Sequence, residues 1–258
     1  NACLVVCSRG DEERKVLIEL STEVGREAVA IHNGIRSMAR LDELEANAAL
    51  ADDLSATTPT LDVNEGVLQL RGLRHPRLVL KSGSSIVAND VELVNARVLV
   101  ISGPNAGGKT ITLTGVGLCA LMVRAGMPIP CDSGSTVPLF SQIHSALGDQ
   151  QDLQQGLSTF SAHVTLLKEI LETAQRGALI LIDEIAADTD PREGSAIATA
   201  VLEYLLDKQS LVLITTHLEE LKALAHVDSR FVNARVGFDA RKMAPTYRLQ
   251  IGIAGMSS

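Results

Sequence analysis

Residues 98–117 read VLVISGPNAGGKTITLTGVG, and the rest of the chain is best understood as built around them. Residues 98–101 are a short apolar run of β-branched and aliphatic side chains, which suits a strand buried on both faces. Residues 103–110 (GPNAGGKT) then fit the phosphate-loop pattern G-x-x-x-x-G-K-[ST]. Gly103, Gly108, Lys109 and Thr110 take the fixed positions, with Pro104, Asn105, Ala106 and Gly107 between them. Glycines let the backbone come close to phosphate oxygens and turn its N–H groups towards them, and a helix starting near Lys109 aims its positive end at the same anion. In this pattern Lys109 neutralises the β- and γ-phosphates of ATP, and the Thr110 hydroxyl is offered to Mg²⁺. A glycine-rich turn that binds nothing is the plain alternative. The position of the motif between a strand-like and a helix-like run favours phosphate.

A second run points to the same chemistry. Residues 178–184 (ALILIDE) read as a buried strand ending in two carboxylates. At the end of an extended strand Asp183 and Glu184 point in different directions, so that one can face the metal ion and the other the attacking water. Residues 211–216 (LVLITT) form another buried-strand pattern with His217 at its end. In an open α/β sheet ligands lie at the carboxyl ends of the strands. A lone histidine is more often packing or surface, but here the position suits a γ-phosphate sensor. Ser158 or Thr159 can cap a helix over residues 160–173, and that helix start is a second possible anion site.

Composition sets the outer limits. The chain has 258 residues, 46% hydrophobic and 21% charged, with a formal net charge of -8. This length allows roughly three quarters of the unfolded surface to be buried, enough for a domain plus an appendage. The apolar runs are too short or too glycine-broken to span a bilayer. The acidic balance gives no overall basic footprint for nucleic acid or an anionic membrane. Cys3, Cys7, Cys119 and Cys131 are too few and scattered for a disulfide framework, and Cys3 and Cys7 lack partners for a metal site. A soluble protein of the reducing cytoplasm is expected. The opening NACLVVCSRG, without an initiator Met, reads as an excised piece.

Along the chain, residues 3–8 suggest a short strand or the end of an element. Residues 11–31 and 35–51 carry helical spacing, with a break expected at Gly34. Strand-like runs follow at residues 67–70, 78–80 and 91–94, and residues 127–138 read as a connection with at most one strand. Residues 139–146 suggest a further strand, residues 192–207 a helix and residues 231–252 a terminal hairpin. The expected division is a helical segment over residues 1–60 and a nucleotide domain over residues 61–258.

Taken together, GPNAGGKT, LSTFSAH (157–163), LILIDE (179–184) and ITTH (214–217) resemble, in order, the ATPase motifs of the MutS family. LRHPRL (73–78) resembles the segment that opens that family's ATPase domain. The stretches at 110–130, 148–163 and 245–257 are most similar to its second bacterial branch, which lacks the mismatch-reading domain. The resemblance covers most of residues 61–258, and residues 41–54 resemble the last core helix before the ATPase domain.

The resemblance implies an ABC-type P-loop ATPase with a mixed, mostly parallel sheet. It implies head-to-tail dimers with two nucleotides sandwiched between subunits. Ser158 of one subunit would reach the γ-phosphate held by Gly107, Lys109 and Thr110 of the other. Gln151 would lie in the loop coupling the metal site to attached domains, and Glu184 would activate water. The intact protein would act on branched DNA or on stalled ribosomes through domains outside this piece.

Two departures stand out. Ala186-Ala187-Asp188-Thr189 replaces a glycine-rich turn, and Ile86 stands where an aromatic often stacks on adenine. With four Phe, two Tyr and no Trp in the chain, a mostly aliphatic base contact is expected. A transporter nucleotide-binding subunit predicts an LSGGQ-like signature, which LSTFSAH does not match. A module that binds ATP without hydrolysing it is disfavoured by intact Lys109, Thr110, Asp183 and Glu184.

Overall fold

The computed structural model describes residues 2–63, 66–82, 86–104, 107–147, 159–186, 189–239 and 241–255. Packing divides the chain into Asn1–Ala49 and Leu50–Ser258. The smaller unit consists of α1 (Ala2–Arg26) and most of α2 (Ala28–Leu54). Residues 3–8 are therefore helical, and the break falls at Glu27 instead of Gly34. An exposed glycine inside a helix costs only about 1 kcal/mol, too little to end it. Even at Glu27 the hydrogen-bond ladder persists, its N–H donating to the Glu23 carbonyl (3.3 Å) and its carbonyl accepting from the Ile31 N–H (2.9 Å). Val16, Leu17, Leu20, Val24, Met38 and Leu41 are exposed on these helices.

The larger unit contains β1 (Thr60–Asp62), β2 (Leu68–Leu73), α3 (Pro76–Ser82), β3 (Asn89–Leu93), β4 (Val98–Ser102) and α4 (Lys109–Arg124). It continues with β5 (Thr136–Pro138), β6 (Ile143–Ala146), α5 (Thr159–Thr173), β7 (Leu179–Ile182), α6 (Pro191–Asp207), β8 (Leu211–Thr215), α7 (Glu219–Val227), β9 (Phe231–Asp239) and β10 (Ala244–Ile251). Residues 78–80, read as strand-like, are helical in α3. Three apolar residues are too few to separate the two periodicities, and Pro76 at the first helical position supplies the fixed φ of a helix start. Asp190 caps α6 by accepting from the Arg192 N–H at 3.0 Å, again with proline at the first position.

The principal sheet has the order β10-β9-β4-β8-β7-β6, in which β9, β4, β8, β7 and β6 run parallel and β10 is antiparallel to β9. A smaller sheet has the order β1-β5-β2-β3. Alternation along β4 splits the apolar core in two. Leu99 and Ile101 join a cluster with Leu113 and Val116 of α4 and with Leu68, Leu70 and Val91 of the small sheet. Val98 and Val100 face Leu167 and Ile170 of α5, Leu202 and Leu205 of α6, and Leu221 of α7. All of β4 is buried, and each such Val, Leu or Ile side chain contributes about 1.5–3 kcal/mol relative to exposure.

This architecture is the expected mixed α/β P-loop-type fold with a mostly parallel sheet. After β4 the chain crosses to β6 at the far edge, returns through β7 and β8, and then passes over β4 to β9. The reversal leaves the carboxyl ends of β4, β8 and β7 side by side, the position where open α/β sheets hold ligands. No helix among the described residues is long and apolar enough to cross a membrane.

Candidate functional site

The loop leaving β4 is shaped by close approach to β9. A Cβ on Gly103 would lie 2.6 Å from Val236 Cγ2, and one on Gly107 would lie 2.5 Å from the same atom. Neither position has room for a side chain. Gly108, at φ +96, is the residue before the first turn of α4, where a glycine can offer no side-chain cap. Without a side-chain cap, the start of α4 is the kind of helix end that suits an anion. Lys109 is only 3% exposed, and its ammonium donates to the Gly103 carbonyl at 2.7 Å, folded back over the loop. Burial lowers its pKa from the ordinary value, Glu184 and Asp183 oppose that, and the charge of Lys222 adds to it.

Two strands away, β7 is followed directly by Asp183, which is 7% exposed. One carboxylate oxygen accepts from Thr110 Oγ1 at 2.6 Å, and the other accepts from Thr215 Oγ1 at the end of β8. Neighbouring strands lie about 4.8 Å apart, so β8 sets the gap that Asp183 and Thr110 close. Thr215 also accepts the Glu184 N–H at 2.8 Å and so fixes both acidic residues with one hydroxyl. Glu184 is half-buried and has φ +51, a left-handed conformation uncommon away from glycine. Such outliers persist where surrounding contacts over-determine them, often at working sites. Ala186 likewise has φ +55, so alanine here occupies a conformation that glycine adopts freely.

Thus Gly103, Pro104, Gly107, Gly108, Lys109, Thr110, Asp183 and Glu184 share one sheet edge. His217 follows β8 on that edge, with its side chain exposed and the adjacent Thr216 N–H donating to the Ile101 carbonyl at 3.1 Å. Asn105, Ala106, Gln151, Ser158, Ala187 and Asp188 lie outside the described residues.

The structure adds two residues that sequence reading passed over. In the sequence Thr215 reads as the end of a strand and as part of ITTH, with no role of its own. Its polar hydroxyl closing a buried apolar run was the available signal. Tyr247 has φ +57, and its ring lies against Gly108, with Cδ1 3.3 Å from where a glycine Cβ would stand. Asn89 holds it there, donating from Nδ2 to the Tyr247 carbonyl (2.9 Å) and accepting the Leu249 N–H (2.7 Å). Ile86, by contrast, packs against the core cluster that includes α4.

LRHPRL meets the far face of α4. His75 Nε2 is 3.1 Å from Thr114 Oγ1, and Thr114 donates its own hydroxyl proton to the Thr110 carbonyl at 2.8 Å, so the imidazole acts as donor. Burial lowers the His75 pKa.

Comparison with known proteins agrees with this geometry. Residues 99–258 match the model of MutS domain V. The chain is 48% identical over 258 residues to "Endonuclease MutS2" of Anaeromyxobacter sp. (strain Fw109-5), covering 96% of this chain and 32% of that protein. It is 40% identical to "Endonuclease MutS2" of Lactobacillus helveticus (strain DPC 4571) and 41% identical to that of Caldicellulosiruptor bescii, covering 98% and 96% of this chain. It spans about a third of the length of these relatives, 32% and 31% for the latter two. A phosphate loop, an acidic strand end and their shared threonine lie within the matched domain, and the chain belongs to the MutS family, with residues 99–258 forming its domain V, the ATPase domain.

Proposed function

We propose that this chain binds ATP with Mg²⁺ and hydrolyses it to ADP and phosphate, as the ABC-type engine of a second-branch MutS protein. The observation that carries this reading is the 2.6 Å approach of Thr110 Oγ1 to Asp183 beside the buried ammonium of Lys109. A hydroxyl and a carboxylate are hard oxygen donors, and one or two protein oxygens are what Mg²⁺ takes when substrate phosphates and water complete its shell. Bound there, the ion would neutralise charge on the β- and γ-phosphates. Lys109 would exchange the Gly103 carbonyl for phosphate oxygen, and the α4 N-terminus would supply further N–H donors. Both Asp183 oxygens already accept hydroxyl protons, which leaves Glu184 to orient and deprotonate the attacking water. His217 is assigned to γ-phosphate sensing and Gln151 to coupling with attached domains.

Tyr247 would give the adenine an aromatic face. Stacking of this kind is worth about 1–3 kcal/mol, so Tyr247→Ala is expected to weaken ATP binding about tenfold while leaving inorganic triphosphate unaffected. An equal loss for both ligands would contradict the stacking role.

In the functional state two chains would close head to tail, Ser158 of one completing the nucleotide site of the other. The positive end of the α5 dipole suits an anion delivered in this way. Action on branched DNA in recombination control, with stalled ribosomes as the alternative target, would run through other parts of a longer cytoplasmic protein. So would the nuclease activity in the relatives' name. Sedimentation tests the gate: with Glu184→Gln to block turnover, Mg-ATP is expected to convert monomer to dimer. A chain that binds ATP and stays monomeric would contradict closure through these residues alone.

A further inference from the structure

Behind the phosphate loop lies a buried polar chain that the hydrolytic chemistry does not use. Lys222 of α7 is 3% exposed, and its ammonium donates to the Gly255 carbonyl at 3.0 Å and to Glu219 Oε1 at 2.8 Å. The Glu219 carboxylate is largely exposed. Gly255 in turn donates its N–H to Ser102 Oγ at 2.7 Å, and Ser102, fully buried, is the last residue of β4. The Ser102 hydroxyl donates to the Ala234 carbonyl of β9 at 3.3 Å. A Cβ on Gly255 would lie 2.9 Å from the Ser102 carbonyl carbon and 3.0 Å from the Gly103 nitrogen. Gly255 therefore presses on the very peptide that opens the loop. Asn233 secures the other side, donating from Nδ2 to the Lys222 carbonyl (2.9 Å), while its main-chain carbonyl accepts the Gly252 N–H (2.7 Å).

A lysine buried to this degree is costly unless its protons are well used. Here they fix the segment after β10 onto the base of the phosphate loop. Lys222 also lies close enough to Lys109 for the two positive charges to disfavour each other. That repulsion becomes an advantage when a polyanion arrives, because both cations then gain.

We propose that Lys222 is a positioning residue for the phosphate loop: by clamping Gly255 it fixes Ser102 and the first loop peptide, and so sets nucleotide affinity. The role rests on the loop holding nucleotide, as inferred above. It makes the segment after β10 a determinant of ATP binding through its hold on the loop.

Lys222→Met keeps the aliphatic volume and removes the clamp. The expected result is a rise of about tenfold in the KM and Kd for Mg-ATP with kcat changed less than about twofold, because the interaction supports ground and transition states alike. Gly255→Ala, which forces the same peptide to shift, is expected to raise KM similarly. Glu219→Gln leaves the Gly255 contact intact and is expected to bind ATP like the parent chain. KM does not depend on how much enzyme is folded, so a Lys222→Met chain with lowered Tm and unchanged KM would overturn the proposal.

Hydrogen exchange without nucleotide tests the clamp separately. Amides of Ser102 and Gly103 are expected to exchange faster in Lys222→Met than in the parent chain, and unchanged exchange would overturn the clamp. Faster exchange in a chain whose parent does not bind ATP would retain the clamp, reject the nucleotide reading and with it the effect on affinity.

Discussion

Glu184→Gln is expected to bind Mg-ATP as tightly as the parent chain and to turn it over about a hundredfold to about ten-thousandfold more slowly, the usual contribution of a positioned general base. The substitution is nearly isosteric and leaves the backbone untouched, so the Glu184 N–H still reaches Thr215 Oγ1 at 2.8 Å and the left-handed turn at φ +51 is retained. Only the basic oxygen is lost. Asp183 cannot replace it, because its two oxygens are engaged by Thr110 and Thr215. Single-turnover kinetics separate this outcome from product release. Unchanged turnover would remove Glu184 from the role of base, and a lost Kd would show that the carboxylate acts on binding instead.

Lys109→Met is expected to weaken ATP binding about a hundredfold, roughly the 3 kcal/mol of a strong charge-assisted hydrogen bond. The same change should leave the stability of the nucleotide-free chain unaltered or raise it. The ammonium donates to the Gly103 carbonyl at 2.7 Å, but burial outweighs the attraction of Glu184 and Asp183, so an apolar side chain of similar volume relieves a net desolvation cost. The two effects differ in sign and are read in one thermal scan. At about a hundred times the parent Kd, ATP adds about 2.7 kcal/mol to the parent chain, a Tm shift of about 5–10 °C for a domain of this size. The variant should lose most of that shift without a lower starting Tm. A variant that begins several degrees lower and keeps its ATP shift would assign Lys109 to packing.

What could be read from the sequence was whatever depends on local spacing. GPNAGGKT carries its own geometry, because fixed intervals place the glycines, lysine and threonine on one turn and the helix after it. LILI before Asp183 and LVLIT before Thr216 are buried runs whose length marks them as strands. Pairing between distant segments was not legible. That β8 lies between β4 and β7, and so brings Thr215 to Asp183, depends on a strand order that no local pattern encodes. Tyr247 was passed over for a related reason: only the antiparallel pairing of β10 with β9, held by Asn89 of β3, brings its ring to Gly108. Lys222 of α7 and Gly255 after β10 are likewise distant in sequence and meet only in the folded chain. Short elements failed differently. Residues 78–80 contain too few apolar positions to show a period, and α7 is only nine residues long and begins shortly after a strand with no side-chain cap to mark its start.

The most direct single measurement is an equilibrium titration of the unmodified chain with ATP in the presence of Mg²⁺, with Lys109→Met titrated in parallel. Saturable binding by the parent chain through one class of site, weakened about a hundredfold in the variant, is the expected result. No saturable binding by the parent, or equal binding by both chains, would contradict the assignment of residues 103–110 as the phosphate site.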